Sequence, residues 1–157
     1  MADRRLTTEV IEFRDELAGR FAALNYQWIE RYFRVEAEDV KSLEDPRGII
    51  DGGGQIFFVL VDGDVAGTAA MLLHTPNVFE LAKMAVKPEF QGRGLSRLLM
   101  EACVEFGRDR GASEIMLLTN DRLAPAVGLY ESAGFVATEH YTDARYARGN
   151  LEMRLKL

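Results

Sequence analysis

Ala85-Val86-Lys87-Pro88-Glu89-Phe90-Gln91-Gly92-Arg93-Gly94-Leu95-Ser96-Arg97-Leu98-Leu99-Met100 decides how the chain is read. An apolar stretch enters it, two glycines interrupt it, and an amphipathic pattern leaves it, so the order is strand, loop, helix. A loop that opens a helix leaves several backbone N–H groups without carbonyl partners at the positive end of the helix dipole, where phosphate oxygens are favoured. Gly92 and Gly94 let the backbone approach a ligand with no Cβ in the way. From Lys83 to Arg97 four basic residues (Lys83, Lys87, Arg93, Arg97) stand against one acid, Glu89, in a chain whose formal charge is −6. A diphosphate group suits such a loop. A mononucleotide P-loop needs Gly-Lys-Ser/Thr at its end, and no Lys follows either glycine. A dinucleotide fingerprint needs a third glycine where Arg97 stands.

Downstream, strands and helices alternate: a helix from Gly94 to Arg110 stopped by Gly111, a strand from Glu114 to Thr119, and a helix from Leu123 to Ser132 stopped by Gly134. The strictly alternating tail Leu151-Glu152-Met153-Arg154-Leu155-Lys156-Leu157 reads as an antiparallel strand with one packed face. Upstream, Gln55 to Val61, Val65 to Leu73 and Val78 to Val86 read as an antiparallel meander. Asp62-Gly63-Asp64 is its first tight turn. Before that, Phe13, Leu17, Phe21, Leu24, Trp28 and Tyr32 recur at helical spacing, as one helix or as a pair restarted by Asn25 as N-cap. A short helix after Glu36, Glu38 and Asp39 is expected to end near Asp45, because Pro46 disfavours the helical conformation before it. The fold class is α/β in the α+β sense, with a mixed, mostly antiparallel sheet.

With 157 residues, 48% hydrophobic and 28% charged, the chain is expected to form a single domain over residues 1–157. The charge of −6 argues against nucleic acid or an anionic membrane as partner. No apolar run approaches the roughly 18 residues of a membrane span, so a cytoplasmic location is expected. The single cysteine, Cys103, lies in an apolar helix stripe with Met100 and Val104 and reads as a core residue. One cysteine and two distant histidines, His74 and His140, both read as loop residues, build no metal site.

A second stretch, Thr119-Asn120-Asp121-Arg122-Leu123-Ala124-Pro125-Ala126-Val127-Gly128-Leu129-Tyr130-Glu131-Ser132-Ala133-Gly134-Phe135, stands in the right order after the first. Together they resemble the GCN5-related N-acetyltransferases (GNAT). The acetyl-CoA loop of that family is Gln or Arg, two residues, Gly, one residue, Gly or Ala; here it reads Gln91-Gly92-Arg93-Gly94-Leu95-Ser96, with Ser in the last position. The front half, through Leu24-Asn25, Trp28-Ile29-Glu30, Tyr32-Phe33 and Glu80-Leu81-Ala82-Lys83-Met84, resembles a bacterial branch sometimes fused to MarR-type regulators.

The resemblance implies the GNAT fold, with helices on both faces of the sheet, and an acetyl-CoA-dependent N-acetyltransferase without a metal. The CoA pyrophosphate would rest on the amides of Gln91, Gly92, Arg93, Gly94, Leu95 and Ser96. Arg93 and Arg97 would touch phosphates, unless they are solvated helix charges. The pantetheine would lie between the strands ending at Val86 and Asn120, against the backbone of Met84, Ala85 and Val86, with Asn120, Ala126 and Tyr130 as further contacts. Asn120 could instead simply cap its strand. Tyr130 would protonate the departing thiolate, and Glu80 would be the base that deprotonates the amine. Alternation sets Glu80, Ala82, Met84 and Val86 on one face and Phe79, Leu81 and Ala85 on the other. A structural alternative for Glu80 is a salt bridge with Lys83 across a bulge or with an N-terminal Arg.

Transfer is expected by direct attack, with no acyl-enzyme on Cys103. The acceptor is expected to be a small-molecule or peptide amine, bounded by the N-terminal helices and the loops after Leu73 and near Tyr141, and Glu30, Glu36, Glu38 and Asp39 could attract it unless they are simply solvated helix charges. Homodimerisation is expected through Trp28 or the edge of the C-terminal strand. The competing reading is a CoA-binding sensor or interaction module that keeps the fold without turnover.

Overall fold

Asp62 and Gly63 have φ of 50° and 85°, the paired positive values of a two-residue hairpin whose twist matches its strands. They join β2 (Gln55–Val61) to β3 (Asp64–Thr75), and β3 pairs antiparallel with β4 (Val78–Val86). The structure, a computed structural model, describes residues 7–140 and 148–157, the side chains of Glu139 and His140 excepted. After β4 the chain enters α4 (Leu95–Asp109) and returns as β5 (Glu114–Thr119), parallel to β4. Then come α5 (Ala124–Ser132), β6 (Val136–His140) and β7 (Leu151–Lys156). With β1 (Thr8–Glu12) the sheet has the order β1-β2-β3-β4-β5-β7-β6, every described pairing except β4–β5 being antiparallel.

Alternation along β2 feeds two cores. Ile56 and Phe58 join Phe21, Leu24 and Ile29 of α1 (Ala18–Tyr32) and Leu43 of α2 (Ala37–Leu43). Phe57, Val59 and Val61 point the other way, onto Leu95, Leu99, Met100 and Cys103 of α4, and α5 packs at the edge of that second core. Helices therefore cover both faces, as expected, and Cys103 is fully buried.

Three elements escaped the sequence reading. β1 and β6 are five residues each and lie at the sheet edges, where one-sided burial leaves little apolar alternation to read. α3 (Pro46–Asp51) begins where a stop was expected. Pro46 occupies its first turn, where the missing N–H costs nothing, and the Asp45 carboxylate accepts from the Gly48 N–H as a cap. The helical stripe also ran too far forward, since Phe13 precedes α1 and reaches the α1-side core from irregular backbone. Asn25 caps nothing; it is buried within α1, where Nδ2 donates to the Phe21 carbonyl at 3.0 Å. The C-terminal strand named for homodimerisation is not a sheet edge, since β7 lies between β5 and β6. Trp28 lines a cleft inside the fold.

Candidate active site

β4 pairs with β5 only from Val78↔Glu114 to Leu81↔Leu117. Beyond Leu81 the strands part, because β3 keeps hold of β4 as far as Gly67↔Val86 while β7 keeps hold of β5 as far as Thr119↔Leu151. The gap opens into a cleft of about 130 Å³, walled by Trp28, Ile29 and Phe33 on one side of the sheet and by Ala126 and Tyr130 on the other.

A bulge in β4 shapes its floor. Thr68 faces Ala85 and Ala70 faces Ala82, so Lys83 and Met84 together oppose one residue of β3, and Lys83 adopts φ of 55°. The extra residue reverses the alternation. Phe79 and Leu81 before it, and Met84 and Val86 after it, all pack toward α4, while Ala85 joins the α1-side core. The expectation that Met84 and Val86 share the Glu80 face is thus overturned: a period of two cannot survive an inserted residue.

Glu80 lines the cleft and is 3% exposed. Its structural alternative expected Lys83 across the bulge, but Lys83 turns to Asp39, and among the described residues His74 meets Glu80, with Nε2 2.5 Å from Oε1. His74 is in β3, not in a loop, and His140 ends β6.

Lys83 leaves the basic loop altogether. Its Nζ, nearly buried, donates to Asp39 Oδ1 at 2.9 Å. Arg148 donates to Asp39 Oδ2 at 2.8 Å and to Glu36 Oε2 at 3.0 Å, and the Glu36 N–H completes the set around Asp39. Burial alone would raise the Asp39 carboxyl, but the hydrogen bonds from Arg148, Lys83 and the Glu36 backbone override it and hold the group at about 2. Glu36 and Asp39 are therefore counter-ions of the protein's own cations, not amine attractors.

The Asn120 amide donates to the Arg148 carbonyl at 2.8 Å and its Oδ1 accepts from the Arg122 N–H at 2.9 Å, which fits the capping alternative. Burial, with the Cys103 thiol behind it, pushes the Tyr130 hydroxyl up to about 12, so the phenol keeps its proton across the working range. Burial also raises the Cys103 thiol, leaving it a poor nucleophile. Among the described residues no group of three His, Cys, Asp or Glu stands together as a metal site.

The loop before α4 is exposed, with φ of 79° at Gly92 and 77° at Gly94, and nothing lies within 4 Å of where a Cβ would stand on either. The Gln91 side chain reaches back to the Val86 carbonyl at 3.4 Å. The guanidinium of Arg93 lies over the Phe90 ring, and Arg97 donates to Ser132 Oγ at 2.9 Å. The hydrogen bond from Leu98 N–H to Gly94 O starts the ladder of α4, so the amides of Leu95, Ser96 and Arg97 have no helical acceptor. Gly94→Ala meets no clash and suffers only the left-handed backbone, so urea unfolding should register a loss of about 1–2 kcal/mol. The loop near Tyr141, expected to bound the acceptor, lies outside the described residues.

Comparison with known proteins agrees with this fold. The family described as Acetyltransferase (GNAT) family matches residues 21–135. A mycothiol acetyltransferase of Thermomonospora curvata is 33% identical over 112 residues, 71% of this chain and 35% of that protein. The chain spans about half, or less, of the length of the curated relatives it matches. A GNAT-family acetyltransferase structure from Staphylococcus aureus Mu50 superposes with a TM-score of 0.86 at 16% identity, over 96% of this chain and 99% of that one. A Salmonella typhimurium protein solved with its cofactor acetyl-CoA superposes with a TM-score of 0.80 at 16% identity, over 96% and 94%. At such identities the likeness is one of fold.

Proposed function

The chain belongs to the GNAT family of acetyltransferases, and from that premise we propose that it transfers an acetyl group from acetyl-CoA to a primary amine by direct attack within the β4–β5 cleft. The observation that carries this reading is the meeting of Glu80 and Tyr130 on one cleft from opposite faces of the sheet, through the gap where β4 and β5 part. Acetyl-CoA supplies the activated acyl group. The amides at the start of α4, with Gly92 and Gly94 keeping side chains out of the way, suit its pyrophosphate, and Arg93 of the same loop would add charge. Met84, Ala85 and Val86, beyond the last β4–β5 pair, have a strand edge to offer the pantetheine, and Ala126 leaves room beside Tyr130.

An amine with the basicity of lysine, near 10.4, is almost wholly protonated at pH 7 and cannot attack until it loses a proton. Glu80 is the group in the cleft suited to take it. Tyr130, neutral throughout, donates a hydrogen bond to the departing sulfur. Full proton transfer from a phenol at about 12 to a thiolate whose acid is near 8.5 is uphill, so the hydroxyl assists rather than drives departure. Tyr130→Phe should accordingly lower kcat by roughly ten-fold with KM little changed, about 1.4 kcal/mol of barrier. Release of thiol from acetyl-CoA over a panel of alkylamines, arylalkylamines, polyamines and peptides tests the function. No release from any amine, together with no heat of CoA binding by calorimetry, would overturn it. No described helix is long and apolar enough to cross a membrane, and the acceptor is proposed as a soluble small-molecule or peptide amine.

A further inference from the structure

Leu72 of β3 stands opposite Glu80 of β4, and His74 follows two residues later on the same face, just where the register slips between Leu73↔Phe79 and Thr75↔Val78. That irregularity brings the imidazole against the carboxylate, Nε2 to Oε1, with 35% of the His74 side chain exposed against 4% of that of Glu80. An exposed ring thus contacts a buried carboxylate that faces the cleft. An ionised carboxylate accepts only, so the ring nitrogen turned toward it is the one bearing hydrogen.

Resting on the reading of Glu80 as base, we propose that His74 is a positioning residue that makes acceptor use acid-sensitive. As neutral imidazole it donates from Nε2 to Oε1 and holds the carboxylate toward the cleft; as imidazolium it weakens Glu80 as a base and repels an incoming ammonium. The bonds that change are simple: an ammonium N–H breaks as an O–H on Glu80 forms, and no proton is routed through His74. Among the described residues, the other charges around the cleft are Lys83 of β4 and Arg148 ahead of β7, facing Asp39 and Glu36 of the α2 region. They are already paired with one another. From α1, Asn25 and Trp28 carry no charge. Histidine side chains change charge near pH 6.5, inside the range where an enzyme of this kind would work.

The test compares the full chain with His74→Gln and His74→Phe, using acetyl-CoA and phenethylamine, a basic amine suited to a cleft walled by Trp28, Ile29 and Phe33. Gln keeps a donor for Glu80 but does not titrate. At pH 8 His74→Gln should keep the wild-type kcat/KM within about three-fold, while His74→Phe, which donates nothing, loses about ten-fold or more. Between pH 7.5 and 5.5, the interval in which histidine side chains in general change charge, the wild type should fall about ten-fold further than His74→Gln. A merely structural histidine would leave the two pH profiles parallel, and parallel profiles in active proteins overturn the inference alone. Absence of thiol release by the wild type would overturn the acetyltransferase reading and this inference with it.

Discussion

Glu80→Gln should lower kcat/KM for acetyl transfer to a basic amine at pH 7 by roughly 10²- to 10⁴-fold, the range associated with loss of a positioned general base. The fold should survive the change. The substituted side chain is nearly isosteric and would still meet the His74 ring, so urea unfolding should move by no more than about 1 kcal/mol, in line with the exchange of one hydrogen-bonded group for another. CoA affinity by calorimetry should also hold, since Glu80 lies on the α1 side of the cleft, away from the loop at the start of α4. The deficit should narrow as pH approaches the acceptor's own pKa, because an amine that is already neutral has less need of a base. A uniform deficit at every pH would instead assign Glu80 to binding.

Asp39→Ala should be the most damaging single change outside the hydrophobic core. Asp39 is fully buried and receives Lys83, Arg148 and the Glu36 N–H, so its removal takes away the one carboxylate that both cations share and leaves Arg148 with Glu36. Breaking a buried pair from one side costs about 3–5 kcal/mol. For a chain of this size that lowers Tm by about 10 °C or more. The wild type should show the same interaction as a pH dependence. The folded carboxyl lies at about 2 against an ordinary value of 3.8, so its stabilising contribution is complete above about pH 4 and is lost as pH falls through about 2. That contribution is about 2 kcal/mol. Urea midpoints measured from pH 5 to pH 2 should fall more steeply in the wild type than in Asp39→Ala, and equal slopes would count against the network.

Much of the architecture was legible because local signals agreed with the final fold. β2, β4 and β5 have the bounds that apolar runs and turn residues imply, and α4 starts one residue after the Gly94 that opens it. The Gly92–Gly94 loop and the lone carboxylate of Glu80 in an apolar strand could likewise be picked out as residue types in a pattern, whereas Tyr130 was offered by the family resemblance. What escaped is non-local. His74 and Glu80 are six residues apart and sit side by side only because β3 turns tightly into β4. Lys83 reads as part of a basic run until the bulge rotates it toward Asp39, 44 residues earlier. Arg148 meets that same carboxylate from 109 residues away, a partnership with no periodicity to announce it.

Resemblance to the GNAT family, rather than spacing, offered Tyr130 as a candidate; the sequence by itself determined the order of the central strands and helices and the glycine loop that opens α4. Each of those depends on backbone propensity and spacing within a few residues, which a linear reading can see. Only the tertiary structure decided which face of β4 each side chain uses, which charges neutralise one another, and that β7 is covered by β6. Those outcomes hang on register: one inserted residue at Lys83 turns the following side chains to the opposite face. Pairing between buried charges is likewise settled by whichever groups the folded chain brings within hydrogen-bond reach.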